Sequence, residues 1–203
     1  MGLPSAIAAM LKRMLLHGTA FSDRKMNLRL LYSLEDPWGM ASEREQYRFS
    51  QTNAQLAGIM PRYDSILELG SGEGHQSTYL QKLTSRLHGI DISSRASIRA
   101  RRRCKKAQFV VGEVDQVLEL FPNIHFDLIT ACEVLYYAGD PGAILPRLQQ
   151  RTRYLYVSNY LPRSELMRKN FQGEGWRELP PIHHGKTEWE CFLWEAPIIE
   201  QGT

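Results

Sequence analysis

Five short β-rich runs alternate with helix-like stretches in the middle of the chain, and this alternation restricts the possible folds more than any other feature. Strands that alternate with helices of about ten residues form right-handed βαβ units around a parallel sheet. In such a sheet, ligands bind beyond the carboxyl ends of the strands. The predicted strands are residues 65–69, 86–90, 107–111, 126–131 and 154–158. The predicted helices between them are residues 74–84, 94–104, 114–121 and 141–150.

The N-terminal part predicts helices instead. Residues 5–60 read as helical, with an interruption at DPWG (36–39), because Pro and Gly end regular structure. Ser42 and Glu45 resemble a capping box at the start of a helix over residues 43–58. Further upstream, apolar residues fall on one face of a helix that packs either on the domain or on a partner or membrane surface. These residues are Ile7, Met10, Leu11, Met14 and Leu15.

The C-terminal part predicts a hairpin that closes the sheet with antiparallel pairing. The sequence indicates a helix over residues 163–170, a strand over 176–179, a turn over 181–186 and a strand over 188–196. A length of 203 residues suits one structural domain. We expect a main domain over residues 61–203 and a helical lid or appendage over residues 1–60.

The composition excludes several classes of protein. Apolar residues make up 43% of the chain and charged residues 23%, as in ordinary soluble proteins. The chain has no apolar run of about 18 residues, so we expect no membrane span. Cys104, Cys132 and Cys191 stand far apart without metal-ligand spacing, which favours free thiols, a cytoplasmic location and no metal site. The net charge of +3 shows no global nucleic-acid footprint.

A glycine-rich loop, LELGSGEG (67–74), follows the first predicted strand. It does not fit a dinucleotide motif, because His75 stands where the third glycine belongs. It does not fit a Walker loop either, because the required Lys is missing. Glu68 and Glu73 would repel a phosphate, whereas a ligand with a cationic amine and no phosphate suits these charges.

The order of the acidic motifs resembles that of the class I S-adenosylmethionine-dependent methyltransferases. That superfamily has an acidic residue and G-x-G-x-G at the end of the first strand, as in ELGSGEG (68–74). It has an acidic residue at the end of the second strand, here Asp91, and another after the third, here Glu113. The resemblance implies a Rossmann-like fold with a seven-stranded, mostly parallel sheet, a C-terminal antiparallel hairpin and N-terminal helices. It also implies S-adenosylmethionine as cofactor and S-adenosylhomocysteine as product.

The same resemblance implies roles for the residues at this edge of the sheet. Asp91 would accept both ribose hydroxyls, and Glu113 would read the adenine amino group. Glu68 would help to hold the cofactor ammonium, whereas we expect Glu73 to be a solvent-facing turn residue. The implied cofactor-binding residues are Glu68, Gly70, Ser71, Gly72, Gly74, Asp91, Ile92, Glu113, Val114 and Cys132.

Two further blocks, EDPWGMASEREQY (35–47) and FDLITACEVLYYAGDP (126–141), resemble the nodulation protein S family. Those bacterial enzymes N-methylate the glucosamine nitrogen of a partly deacetylated chitin oligosaccharide. The similarity covers about residues 35–160. It implies a methyltransferase (EC 2.1.1.-) that acts on a small molecule or glycan, with an amino sugar as one acceptor. The acceptor atom (N, O or C) and the choice between monomer and homodimer stay open.

Several polar and aromatic residues are candidates for the acceptor side. Glu133 follows the fourth strand and would position an amine and take its proton, or else balance a helix dipole. Tyr136 lies one helical turn later and is the second catalytic candidate. The substrate-binding candidates are Trp38, Tyr47, Tyr137 and His184. Each of these has a plainer alternative, which is core packing for the aromatic residues and an exposed turn for the histidine.

The run from Arg95 to Lys106 contains seven basic residues among twelve and no acidic residue. It is either a nucleic-acid contact surface or a solvated helix beside the adenine pocket, with Ile98 and Cys104 facing the core. Two other function classes therefore stay open beside the small-molecule enzyme. One is an RNA methyltransferase that uses this helix, and the other is a non-catalytic binding module with a methyltransferase fold.

Overall fold

A seven-stranded sheet forms the centre of the protein in the computed structural model, which describes residues 25–197. The strands are β1 (Ile66–Leu69), β2 (Leu87–Asp91), β3 (Gln108–Val111), β4 (Phe126–Cys132), β5 (Thr152–Tyr160), β6 (Trp176–His184) and β7 (Thr187–Glu195). Their order in the sheet is β3-β2-β1-β4-β5-β7-β6. β1 to β5 pair in parallel, and β7 is antiparallel to both β5 and β6. The predicted mostly parallel sheet with a C-terminal antiparallel hairpin is confirmed.

Helices cover both faces of this sheet. They are α1 (Lys25–Leu31), α2 (Glu43–Ile59), α3 (Ser77–Leu80), α4 (Ser94–Arg103), α5 (Val117–Leu120), α6 (Pro141–Gln149) and α7 (Leu161–Ser164). Single 3-10 turns cover Val114–Gln116, Leu135–Tyr137 and Arg168–Asn170. None of these helices is long and apolar enough to cross a membrane. The predicted amphipathic segment that begins at Ile7 lies outside the described residues.

Alternation of side chains along each strand gives the sheet two hydrophobic cores. In β5, Leu155 and Val157 pack in the core that contains the apolar face of α6. Tyr154 and Tyr156 point to the opposite face and pack in the core that contains Leu56 of α2. Burial on both faces explains why the central strands read as nearly continuous apolar runs in the sequence.

The short elements differ most from the sequence-based expectations. The helix expected over residues 74–84 is only the four-residue α3, and the one expected over 163–170 is divided into α7 and a 3-10 turn. β6 continues through Pro181 to His184, because it is an edge strand whose register shifts between Leu179 and Ile182. The hairpin turn is therefore much tighter than the expected turn over residues 181–186.

Two local packing expectations were wrong. Ser42 directly precedes α2, but its side chain makes no capping hydrogen bond, and the Glu45 side chain pairs with Arg48 instead of closing a capping box. Cys104, directly after α4, is buried as expected, whereas Ile98 on α4 is exposed. Ala96 and Ala100 face the core in its place, so the helix lies closer to the sheet than a large aliphatic side chain would allow.

The topology places four strand ends at one edge. β1, β2, β3 and β4 are parallel and end at Leu69, Asp91, Val111 and Cys132. The chain goes from β1 to one side of the sheet and later returns to the other side of β1 as β4. Such a switch point leaves a crevice beyond the strand ends, where α/β proteins bind ligands.

Candidate functional site

A pocket opens beyond these strand ends. Its floor is the glycine loop, and its walls come from the ends of β2, β3 and β4. Residues of α1, of the segment that follows it and of α2 cover the pocket, among them Leu28, Tyr32, Trp38 and Arg48. Nine of the expected cofactor-binding residues line this pocket: Glu68, Gly70, Ser71, Gly72, Asp91, Ile92, Glu113, Val114 and Cys132.

The three loop glycines all have positive φ, between 51° and 78°. A Cβ on Gly70 would lie 2.6 Å from Cγ2 of Val134, which follows β4, so the loop approaches that strand end very closely. A Cβ on Gly74 would lie 3.1 Å from the backbone of Ala100. Gly74 therefore faces α4, and the structure gives it a packing role outside the pocket lining.

Asp91 links the glycine loop to the start of α4. Its carboxylate accepts hydrogen bonds from the backbone N–H groups of Gly72 (2.9 Å) and Ser93 (2.8 Å), one on each oxygen. Burial raises the pKa of Asp91 to about 6. Each carboxylate oxygen has a further lone pair, so this fixed carboxylate can still accept a hydroxyl from the pocket.

Glu68 is a second buried carboxylate in the pocket wall, and the Ser77 hydroxyl donates a hydrogen bond to it. Burial raises the pKa of Glu68 to about 8, and the Asp91 carboxylate adds to this increase. A cationic ligand next to Glu68 would favour its ionised form. The site is thus matched to an ammonium group and mismatched to a phosphate.

Arg48 was not identified from the sequence, which gave Tyr47 as the candidate on the same helix. Its side chain is buried, pairs with Glu45 at 2.8 Å and lies 4.7 Å above the Phe49 ring. The guanidinium lines the pocket, and its Nη1 has no hydrogen-bond partner among the described residues. A glutamate three positions before an arginine on the covering helix was the available signal, since it is the spacing of a helical ion pair.

Buried polar atoms in the pocket test whether S-adenosylmethionine fits. Besides Nη1 of Arg48, the hydroxyl of Ser71 is buried and has no hydrogen-bond partner within residues 25–197. Buried polar groups normally have a hydrogen-bond partner, so these atoms indicate where a polar ligand belongs. Arg48 suits a carboxylate and Glu68 an ammonium, which are the two charges of an amino-acid moiety.

The residues expected around the adenine lie beyond β3. Glu113 precedes the 3-10 turn Val114–Gln116, and its side chain and that of Gln116 form a capping box there. The Arg29 guanidinium approaches the Glu113 carboxylate at 3.7 Å. Glu113 therefore already has structural partners, and its adenine contact stays a prediction.

Glu133 stands at the end of β4 with a strained backbone, at φ 57°. Its Oε1 accepts the N–H of Tyr160 (2.5 Å), and its Oε2 accepts the hydroxyl of Tyr136 (3.0 Å). Burial raises the pKa of the Glu133 carboxyl, whereas the charge of Arg48 lowers it. Glu133 lines the pocket, whereas Tyr136 lies outside the lining and donates a hydrogen bond to Glu133.

The expected substrate-binding residues form two separate ring pairs. Trp38 and Tyr137 both line the pocket, with their ring centroids 6.1 Å apart. Tyr47 and His184 pack against each other at 5.3 Å, outside the pocket lining. Cys132 is in the pocket, where the Gln76 amide donates to its sulfur at 3.2 Å.

Glu73 was expected to be a solvent-facing turn residue, and this expectation was wrong. The residue is only 5% exposed and pairs with Arg99 of α4 at 2.8 Å. Although burial raises the pKa of Glu73, hydrogen bonds from His75 and Asp36 and the Arg99 charge together hold it below its usual value. Glu73 thus connects the glycine loop to α4 through Arg99 and to the DPWG turn through Asp36.

Known proteins share parts of this sequence. The family described as methyltransferase domain matches residues 67–153. Nodulation protein S of Sinorhizobium fredii is 32% identical over 139 residues, which cover 66% of this chain and 64% of that protein. The chain thus spans slightly less than two thirds of the length of this relative.

Solved structures share the fold. N-methyltransferase NodS from Bradyrhizobium japonicum WM9, in complex with S-adenosyl-L-homocysteine, matches with a TM-score of 0.70 at 20% identity over 85% of this chain and 97% of that chain. The N-terminal domain of EvdMO1, crystallised in the presence of S-adenosylhomocysteine and D-fucose, matches with a TM-score of 0.59 at 15% identity over 77% of this chain and 85% of that chain. At these identities the likeness is one of fold.

The fold and the sequence matches lead to the same superfamily. The seven-stranded sheet and its antiparallel hairpin are those of Rossmann-like methyltransferases such as NodS. S-adenosylmethionine is the cofactor of this superfamily, and the buried polar atoms of the pocket fit its amino-acid end. Residues 67–153 match the methyltransferase-domain family, and the chain has the fold of the class I methyltransferases and is similar in sequence to the nodulation protein S proteins.

Proposed function

We propose that this protein transfers a methyl group from S-adenosylmethionine to a nitrogen atom of a small amino-sugar or glycan acceptor. The observation that carries the proposal is the charge arrangement around the glycine loop. Two buried carboxylates, Glu68 and Asp91, and one buried guanidinium, Arg48, line the same pocket next to Glu133. This set complements a zwitterionic amino acid joined to a ribose, and it does not complement a nucleotide phosphate.

On the cofactor side, the chain supplies fixed contacts. When bound, S-adenosylmethionine provides an activated methyl group on a sulfonium, so alignment and exclusion of water account for most of the acceleration. Asp91 holds the ribose hydroxyls with a carboxylate whose orientation is fixed by the N–H groups of Gly72 and Ser93. Arg48 holds the carboxylate of the amino-acid end, and Glu68 its ammonium. These contacts set the direction in which the methyl group faces the acceptor.

On the acceptor side, Glu133 takes the proton that an amine must lose. An amine attacks only in its neutral form, so a carboxylate within reach of the nitrogen acts as general base. The Tyr160 amide and the Tyr136 hydroxyl hold the two oxygens of Glu133, which fixes the carboxylate in one orientation. Trp38 and Tyr137 form an aromatic wall of the same pocket, which suits the apolar face of a sugar ring.

The relatives support this acceptor class. Nodulation protein S is similar over 139 residues, and a NodS structure is named as an N-methyltransferase. The EvdMO1 domain was crystallised with a sugar, D-fucose. We propose that the enzyme is cytoplasmic and is a monomer or homodimer. We also propose that Tyr47 and His184 contact the acceptor outside the pocket. Its three cysteines are free thiols, as expected for that compartment.

Calorimetry and a transfer assay test the proposal in sequence. Titration with S-adenosylhomocysteine should show binding, and absence of binding at millimolar ligand would overturn the proposal. Methyl transfer from labelled S-adenosylmethionine should then proceed with partly deacetylated chito-oligosaccharides. Fully acetylated oligosaccharides are the matched control, since they lack the free amine. Transfer to structured RNA in place of the deacetylated sugar would move the protein to the nucleic-acid class.

A further inference from the structure

Residues 31–40, which we call the covering segment, form one wall of the cofactor pocket. Tyr32, Pro37 and Trp38 of this segment line the pocket. The Tyr32 hydroxyl would lie 2.9 Å from a Cβ placed on Gly72, so the segment rests directly on the glycine loop. A ligand seated on the loop therefore lies against this wall.

Glu73 and Arg99 hold the covering segment at three backbone positions. The Glu73 carboxylate accepts the N–H of Asp36 at 3.0 Å and 3.1 Å on its two oxygens. Nη2 of Arg99 donates to the carbonyl oxygens of Tyr32 (2.9 Å) and Leu34 (3.0 Å). The same nitrogen lies 2.8 Å from Oε1 of Glu73. The ion pair between the loop and α4 therefore binds the segment through both of its members: Glu73 accepts from the segment's backbone, and Arg99 donates to it.

The ion pair acts on a segment that is already shaped to receive it. Asp36 has a positive φ of 43°, and its side chain accepts the N–H groups of Met40 (2.6 Å) and Ala41 (3.0 Å). These bonds fix the DPWG turn, so that the Asp36 N–H points at Glu73. Hydrogen bonds to buried charged groups are about twice as strong as neutral ones, which makes this the firm attachment of the segment.

An ionic contact of the neighbouring helix α1 with the main domain is weaker. Arg29 of α1 approaches Glu113 at 3.7 Å, and the Arg29 side chain is 57% exposed. Exposed pairs of this kind contribute little, about 0–1 kcal/mol. In the Glu73–Arg99 pair, in contrast, Glu73 is buried, the Arg99 side chain is only 19% exposed, and the charged atoms lie 2.8 Å apart.

We propose that Glu73 and Arg99 are positioning residues that keep the covering segment closed over bound cofactor and limit the rate at which the product leaves. The inference rests on the proposed function, because it concerns the pocket that holds S-adenosylmethionine. Under this proposal, Glu73 and Arg99, which belongs to the basic run 95–106, hold the covering segment together. Cofactor exchange then requires the Asp36 amide and the two carbonyls to leave their charged partners.

Stopped-flow kinetics with S-adenosylhomocysteine test the proposal, since Trp38 in the covering segment gives a fluorescence signal. Glu73→Gln should speed dissociation about tenfold or more, because one charged hydrogen-bond network is lost. Arg99→Gln should do the same, and Arg99→Lys should fall between Arg99→Gln and the wild type. Arg102→Gln is the matched control, because it removes an exposed charge from the same helix.

Hydrogen exchange without cofactor gives an independent measurement. In Glu73→Gln, the amides of the covering segment should exchange faster than in Arg102→Gln, while those of the central strands stay protected. If Glu73→Gln does not fold, Arg99→Lys carries both measurements. If Glu73→Gln and Arg99→Lys both show the dissociation and exchange rates of the wild type, the proposed positioning role of Glu73 and Arg99 is overturned. Failure of the wild type to bind S-adenosylhomocysteine would instead overturn the proposed function. The hydrogen-exchange result would still show whether Glu73 and Arg99 hold the covering segment.

Discussion

Buried carboxylates are the most informative single residues of this protein. Glu68 and Asp91 stand at the ends of neighbouring parallel strands, and burial raises the pKa of both. Ionising a buried carboxylate does not stabilise the fold. We therefore infer that Glu68 and Asp91 are present to bind the ligand. Their titration then reports on what binds, and this can be measured directly.

Glu68 predicts proton release on cofactor binding. With a pKa of about 8, Glu68 is mostly protonated at pH 7 in the free protein. A cationic ammonium favours the ionised form, so binding should release up to about one proton at pH 7 and fewer at pH 9. Calorimetry of S-adenosylhomocysteine binding in phosphate and in Tris should therefore give different heats. Glu68→Gln should remove the difference, and equal heats for the wild type would contradict the role of Glu68.

Asp91 predicts a loss of affinity that is separable from folding. Asp91→Asn keeps the size of the side chain and one acceptor oxygen for the loop amides, but it weakens the bidentate contact with the ribose. We expect affinity for S-adenosylhomocysteine to fall at least about tenfold, with little change in the melting temperature. Asp91→Ala should lose more affinity and also some stability, since the amides of Gly72 and Ser93 lose their acceptor.

Glu133 predicts a loss of turnover with cofactor binding retained. Glu133→Gln removes the base while keeping the shape, so turnover should fall by about 10²–10⁴. The dissociation constant of S-adenosylhomocysteine should change much less. Tyr136→Phe is the milder companion variant, because it removes only the hydroxyl donor to Oε2. Equal losses of turnover and cofactor affinity in Glu133→Gln would move Glu133 to the cofactor side.

The sequence predicted those site residues that end a strand, and it missed those that depend on packing between distant segments. Asp91 and Glu133 could be found because each directly follows a recognisable β-rich run. Arg48 was missed although Glu45 marks a helical ion pair, and the true position of Glu73 could not be found because its partners Asp36 and Arg99 lie more than twenty residues away in the chain. Whether an acid on a turn faces solvent or an arginine is decided by tertiary packing, which local sequence does not contain.

At the scale of elements, the long periodic segments were predictable and the short ones were not. Strands β1 to β5 lie within two residues of their predicted bounds, and α2, α4 and α6 within one. α3 and α7 are single turns, whose extent depends on loops packed around them. β6 was predicted too short, since Pro180 and Pro181 normally end a strand and only an edge position with a bulge tolerates them.

Among the elements, the glycine loop is where we expect a substitution to lower the free energy of unfolding. Gly70→Ala places a Cβ 2.6 Å from Val134 at a φ of 66°. The free energy of unfolding should fall by about 1–3 kcal/mol, because the backbone strain remains even if Val134 shifts. Gly58→Ala in α2 is the control, since nothing lies within 4 Å of its Cβ position. It should stabilise the helix by about 0.5–1 kcal/mol in thermal or denaturant unfolding.

At the scale of the whole molecule, the basic run separates the two enzyme classes that the sequence left open. Three of its arginines contact the protein itself, namely Arg99, Arg101 and Arg103, each of which donates to backbone carbonyl oxygens. The exposed basic residues of the run are Arg95, Arg102, Lys105 and Lys106 besides Arg101 and Arg103. A helix that uses its arginines to hold the covering segment and the β3 edge is a structural element of the pocket.

Salt dependence then tests the small-acceptor assignment against an RNA acceptor. If four exposed cations contacted phosphates of a single strand, affinity would fall about fiftyfold between 50 and 200 mM salt. For a small amino-sugar acceptor we expect KM to change less than about threefold over the same range. A variant with Arg95, Arg102, Lys105 and Lys106 all changed to Gln should keep wild-type turnover, because none of these residues lines the pocket. A steep salt slope that disappears in this variant would overturn the small-acceptor assignment and assign the acceptor to nucleic acid.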